Sequence, residues 1–120
     1  MGHNFKKLII WEKSMNLCDQ VFKYVDELPR SERFNLIDQM NRSSCSIRSN
    51  IAEGSGKRSN LQFAEYLSIA ISSAYELETQ LLICERRKYG NSESLKQLLE
   101  LITVVQKMIY SYREKILNSN

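Results

Sequence analysis

The residues from Gln39 to Ser59, QMNRSSCSIRSNIAEGSGKRS, hold most of the chemistry open to this chain. Gly54-Ser55-Gly56-Lys57-Arg58 has the glycines and cations of a phosphate loop. A nucleotide loop needs a longer glycine spacing and a preceding strand, and neither is present. Gly54 is read instead as the left-handed residue that ends a helix, with a turn after it. What survives is charge. Lys57 and Arg58 stand where a new helix starts, and loop amides and a helix N-terminus favour anions there.

Gln39, Ser43, Ser46, Asn50 and Glu53 follow steps of four, three, four and three, which places them on one helical face. Tyr66, Ile69, Ser73, Glu76 and Gln80 form a second face at heptad spacing. One reading makes Gln39, Arg42, Ser43, Ser46, Asn50, Glu53 and Glu76 a structural polar network, within the chain or at a subunit interface. The other makes them a ligand site. In an antiparallel pair turning near residue 57, Ser43 and Ser46 fall opposite Ser72 and Ser68. Arg42 then reaches Glu76 or Glu78, and Asn50 and Glu53 brace the 54–59 loop.

Catalytic and metal chemistry finds little support. His3 is the only histidine, in a terminus expected to fray. That removes the usual general base and any histidine-based metal site. No Glu-x-x-His di-iron pattern occurs, and no serine has an evident Lys or His partner. Cys18, Cys45 and Cys84 lack metal spacing and form no CxxC. All three are expected as free, helix-buried core thiols in a reducing cytoplasm. The expectation is therefore no catalytic residue, no metal, no cofactor and no enzyme.

The elements that hold these residues are helices. One proline and four glycines in 120 residues, with plentiful Leu, Ile, Glu, Lys and Gln, describe an all-α chain of one domain. Helices are predicted over about 8–28, 32–53, 60–88 and 92–117. The first carries Trp11, Met15, Cys18, Phe22 and Val25 and stops at Pro29. The second starts behind Ser31 as N-cap and carries Leu36, Met40, Ser44, Ile47 and Ile51. The third opens on Ser59-x-x-Gln62, a capping box, and carries Phe63, Leu67, Ala70, Ala74, Leu77, Leu81 and Cys84. Asn91 or Ser92 caps the fourth, with Leu95, Leu98, Ile102, Val105, Ile109, Tyr112 and Ile116 inward. Short linkers make this an antiparallel up-down-up-down four-helix bundle, one domain over residues 1–120. No apolar run reaches the roughly 20 residues that span a bilayer, so no membrane is expected. The N-terminus has Gly2, but Lys6 stands where a myristoylation signal wants Ser or Thr.

Net charge is +3, which permits nucleic-acid binding without requiring it. The cations separate by bundle end. Lys6, Lys7, Lys57, Arg58, Arg113 and Lys115 gather at one end, and Arg30, Arg33, Arg86, Arg87 and Lys88 at the other.

LPRSERFNLIDQMNRSSCSIRSNIAEGSGKRS, followed by FAEYLSIAISSAYELETQL, resembles the four helix bundle protein family. Its members were first noticed as reading frames in intervening sequences of bacterial large-subunit ribosomal RNA genes. The family is similar to the accessory variability protein of diversity-generating retroelements, which binds nucleic acid and a reverse transcriptase. Phe5, Leu8 and Trp11 fit the opening; Pro29, Glu32, Phe34, Leu36, Gln39 and Arg42 fit the second helix. Ser46-Ile47 and Asn50-Ile51-Ala52-Glu53-Gly54 fit the family's most distinctive signature, and Ala70, Ser73, Glu76, Leu77 and Glu78 fit the third helix. Arg48 stands where the family often has proline, and Ser72 where it often has glycine. The resemblance implies a homopentamer around a channel, with a basic surface and no enzymatic activity.

Together these readings lead to an expectation of a cytoplasmic, oligomeric bundle that binds RNA or DNA backbones without sequence specificity. Arg48, Lys57, Arg58, Lys6 and Lys7 are the candidate nucleic-acid contacts. The alternative is an interaction module that binds a protein partner and no nucleic acid.

Overall fold

The computed structural model describes residues 3–119; Gly2 lies outside them. Four helices carry the fold: α1 (Ile9–Val25), α2 (Asp38–Ser55), α3 (Asn60–Arg87) and α4 (Ser92–Leu117), with no strand among the described residues. A 3-10 turn, Phe5–Lys7, precedes α1. Each helix packs on its neighbours in the chain, and α1 packs on α4, which closes a square. Cross-helix pairs run in opposite order along the partners. Met40 meets Cys84, Ser43 meets Gln80 and Ser46 meets Ser73; Glu78 meets Gln106 and Ser68 meets Arg113. Such pairs belong to antiparallel neighbours. The body measures 48 × 23 × 20 Å, and the 28-residue α3 spans about 42 Å of the long dimension at 1.5 Å per residue.

All four helices feed the core, and α2, α3 and α4 do so through their heptad sets. Met40, Ile47, Ile51, Leu67, Ala70, Leu77, Leu81, Ile102 and Ile109 are fully buried, and each large apolar side chain so placed is worth about 1.5–3 kcal/mol. Ser59 Oγ accepts from Gln62 N at 3.1 Å, and Asn91 Oδ1 accepts from Ser94 N at 2.9 Å, so both predicted caps form.

Helix α1 is rotated from the expected stripe. Ile10, Ser14, Leu17, Val21 and Tyr24 are buried, as is Leu28 beyond the end of α1; of the expected stripe, Cys18 and Val25 are buried too. Trp11 is half-buried against Phe5, Met15 is half-buried, and Phe22 is 41% exposed. The buried arc is centred on the stripe one residue earlier and takes in part of the expected one. Tyr24 takes the inner position because its hydroxyl donates to Tyr89 O at 2.8 Å.

The entry to α2 also departs from expectation. Ser31 is not an N-cap; it sits inside a 3-10 turn, Arg30–Glu32, which begins after Pro29. A π turn, Arg33–Ile37, then leads into α2. Leu36, Met40 and Ser44 are spaced four and four, and each step of four overshoots an α-helical face by about 40°. A wider π turn takes up part of that overshoot and keeps Leu36 inside.

Gly54 is not a left-handed cap. α2 runs through it to Ser55, and Gly56 follows at φ −89°. Gly54 is buried, and a Cβ there would stand 2.6 Å from Tyr66 Cβ and 2.9 Å from Phe63 Cδ1. Glycine is needed for close approach of α2 to α3, not for a turn. The left-handed position lies at the end of α3, where Lys88 adopts φ 57° and Gly90 φ +67°.

Candidate nucleic-acid interface and polar seam

The polar faces of α2 and α3 meet as an intrachain seam. Ser43, 3% exposed, donates to Oε1 of Gln80, 4% exposed, at 2.7 Å. Ser46 and Ser73 hydroxyls lie 2.8 Å apart. Asn50 Nδ2 donates to Ser46 O at 2.8 Å and to Ser46 Oγ at 3.0 Å. Gln80 Nε2 in turn reaches Glu76 Oε2 at 3.5 Å. The register differs from the expected one. Ser46 pairs with Ser73 rather than Ser68, and Ser43 with Gln80 rather than Ser72. Ser72 is exposed, and Ser68 accepts from Arg113 Nε on the other flank at 2.7 Å.

The outer members of the stripe are not in the seam. Gln39, Arg42 and Glu53 are exposed and outside it, and Glu76 is exposed at its edge, where it accepts from Gln80. Gln39 Nε2 donates to Asn35 Oδ1 within its own helical segment. Arg42 pairs with neither Glu76 nor Glu78: among the described residues, Arg113–Glu114 at 2.8 Å is the ion pair within 4 Å. Glu53 touches the loop through its backbone, where its carbonyl accepts from Gly56 N.

One end of the bundle collects cations from three segments. His3 N donates to Ser55 O at 2.8 Å, tying the N-terminal turn to the end of α2. The His3 ring lies 5.1 Å from Phe63, so this residue is held rather than frayed. Lys6 and Lys7 follow, both exposed. Lys57 Nζ sits over the Tyr66 ring at 5.0 Å, and Arg58 is exposed beside it. Asn60 Nδ2 donates to Ser119 Oγ at 3.3 Å, which brings the end of α4 to the same rim. An open groove of about 570 Å³ runs between the start of α1 and the end of α4. Leu8, Ile9, Ile10, Met108 and Tyr112 line it, with Lys7, Lys107 and Lys115 along it. The apolar space is thus on the surface. Arg113 is committed to Ser68 and Glu114. The opposite end is mixed: Arg33 stacks over Phe34 at 5.3 Å, while Glu32 accepts from the Tyr89 hydroxyl at 2.9 Å.

Arg48 stands apart from the basic rim. It is half-buried on the flank of α2 that faces α1, and its Nη2 donates to Cys45 Sγ at 3.3 Å. Cys45 is half-buried, not a core thiol, whereas Cys18 and Cys84 are buried. Cys18 Sγ lies 3.6 Å from Cys45 Sγ and 3.6 Å from Ser44 Oγ. Sequence reading missed this cluster because it depends on the rotation of α1; Cys45 and Arg48, one helical turn apart, were its only local signal. Burial pushes the Cys18 thiol up from 9.0 despite the nearby Arg48 guanidinium, and the sulfurs beside Arg48 hold its guanidinium above its ordinary value. Among the described residues no three His, Cys, Asp or Glu side chains group to hold a metal, and no helix is long and apolar enough to cross a membrane.

A helical bundle with an internal polar seam and a cationic end defines a class of all-α protein, and comparison narrows it. Residues 6–111 match the family described as 23S rRNA-intervening sequence protein, and the chain belongs to that family. It is similar to a crystal structure of a protein with unknown function from the S23 ribosomal protein family of Bacteroides thetaiotaomicron. The two share 25% identity and a TM-score of 0.78, over 88% of this chain and 98% of that one. Comparison with curated proteins gives no match.

Proposed function

We propose that this protein is a non-catalytic, cytoplasmic bundle that assembles into a homo-oligomer and binds RNA or DNA through the phosphate backbone. The observation that carries the reading is the convergence of Lys6, Lys7, Lys57, Arg58 and Lys115 at one end, from segments tied by the His3–Ser55 and Asn60–Ser119 hydrogen bonds. None of these five cations forms an ion pair within 4 Å among the described residues. Arg48 is left out of this group because its guanidinium is turned to Cys45. Backbone-directed binding needs clustered positive charge and no base-reading element. Assembly, a pentamer by family resemblance, multiplies each phosphate interaction.

The test is anisotropy of labelled mixed-sequence RNA and DNA against salt. Binding at low salt weakens steeply as salt rises. A Lys57→Glu/Arg58→Glu variant binds at least about tenfold more weakly, and its salt slope on duplex DNA is shallower by about 0.9 for each phosphate no longer neutralised. Failure to bind at low salt, or an unchanged variant, refutes the reading. Light scattering of the intact chain tests assembly, and a monomer removes it. A second reading, a protein-interaction module, draws on the groove beside Ile9, which is 68% exposed; it gains if nucleic acid does not bind.

A further inference from the structure

We propose that Cys45, Cys18 and Arg48 form a modification site for hydroperoxides, at which oxidation closes a reversible disulfide between α1 and α2. The two sulfurs already stand 3.6 Å apart. A disulfide needs about 2.05 Å, a closure of the order reached by small rotations about the two Cα–Cβ bonds. The roles of the two thiols differ by surroundings. Cys45 is half-buried, so a small oxidant reaches it. The guanidinium of Arg48, 3.3 Å from its sulfur, places a positive charge beside the atom that attacks. Arg48 has no carboxylate within 4 Å among the described residues, so its hydrogen bond goes to sulfur. Cys18 is 2% exposed and meets solvent oxidants only through Cys45.

The chemistry follows in two steps. The Cys45 thiolate attacks the terminal oxygen of a hydroperoxide; the O–O bond breaks, an alkoxide or hydroxide leaves and takes up a proton, and Cys45 becomes a sulfenic acid. Cys18 then attacks the Cys45 sulfur as thiolate. The S–O bond breaks, the departing hydroxide takes the Cys18 proton, and water leaves as the S–S bond forms. Overall two thiols lose two electrons and two protons, and the peroxide becomes one alcohol, or water, and one water. A dithiol reverses the reaction by exchange. Cys84 supplies the internal contrast: it is buried, and its sulfur neighbour is Met40 Sδ at 3.8 Å.

The experiment treats the folded, reduced full chain with hydrogen peroxide and follows it by intact mass and peptide mapping. The expected product has lost two hydrogens, carries a Cys18–Cys45 link with Cys84 free, and returns to the starting mass with dithiothreitol. Cys45 reacts at least about tenfold faster than Cys84. Cys18→Ser leaves a Cys45 sulfenic acid that dimedone traps, Cys45→Ser abolishes both products, and Arg48→Met slows the first step while Arg48→Lys partly restores it. Oxidation of Cys84 at an equal rate, or only intermolecular disulfides in the wild-type protein, overturns the proposal. The wild-type map decides it even where a variant fails to fold.

Discussion

Replacing Gly54 with alanine pits two effects of opposite sign against each other. In an exposed helix interior, Gly→Ala stabilises by about 1 kcal/mol. Gly54 lies inside α2, so the gain is available in principle. The new Cβ, however, would stand 2.6 Å from Tyr66 Cβ, 2.9 Å from Phe63 Cδ1 and 3.3 Å from Phe63 O. Carbon atoms pack at about 3.5–4.0 Å, so roughly 1 Å must be found. Tyr66 Cβ is fixed to the α3 backbone, and no rotamer change moves it. The helices must therefore part near their shared turn, and overpacking of this kind costs about 1–3 kcal/mol. The net expectation is a destabilisation of up to about 2 kcal/mol. With about 2.1 cal/mol/K per residue of unfolding entropy, that lowers Tm by up to roughly 8 °C in a chain of this size. The assay is thermal and urea unfolding by circular dichroism at fixed protein concentration. Gly56→Ala is the control: its Cβ would meet only Glu53 O at 3.7 Å, at a helical φ of −89°, so stability holds or rises slightly. A Gly54→Ala variant as stable as the wild type would refute the close-approach argument.

Other perturbations follow from the same geometry. Ser43→Ala leaves Gln80 Oε1 buried without its donor and lowers stability by about 1–2 kcal/mol; adding Gln80→Leu recovers part of the loss, and a double-mutant urea cycle reads the coupling. Stability also falls at alkaline pH. Burial raises the thiols of Cys18 and Cys84 above 9.0 and pushes the Tyr24 hydroxyl well above 10.0, so above pH 9 the unfolded chain loses protons that the folded chain keeps. Each such group steepens the decline by at most about 1.4 kcal/mol per pH unit. Urea midpoints between neutral and strongly alkaline pH in a reducing buffer check this, and Tyr24→Phe flattens the slope above pH 10 while lowering the neutral-pH plateau, because its bond to Tyr89 O is removed.

The parts of the fold legible in the sequence were those with one strong periodicity and a cap. α3 and α4 offered unbroken heptads behind Ser59 and Asn91, and both formed with those caps. α1 offered two apolar stripes one residue apart: Cys18 and Val25 of the expected one are buried, while Trp11, Met15 and Phe22 turn outward. The bond from Tyr24 to Tyr89 O holds the other stripe inward. The π turn before α2 was hidden in a spacing of four and four that reads equally as an imperfect α-helix. Gly54 was misread because sequence shows that a glycine is needed without showing whether backbone freedom or missing volume is the reason; Tyr66 and Phe63, across the turn on α3, supply the answer.

The candidate site divides along the same line. The small polar residues of α2 and α3 were visible as matching faces, and their inner members are bonded to one another: Ser43 to Gln80, Ser46 to Ser73, Asn50 to Ser46. A network whose members satisfy each other fixes register and leaves little for a ligand. The seam is intrachain, and Gln39, Arg42, Glu53 and Glu76 remain exposed beside it. The cations of the Lys57 end are in the opposite condition. They have no carboxylate within ion-pair distance among the described residues, and the hydrogen bonds at His3 and Asn60 gather their segments without consuming their charge. Unspent charge held by a spent scaffold is what a phosphate backbone can use, whereas exposed charges that pair locally contribute little to either stability or binding.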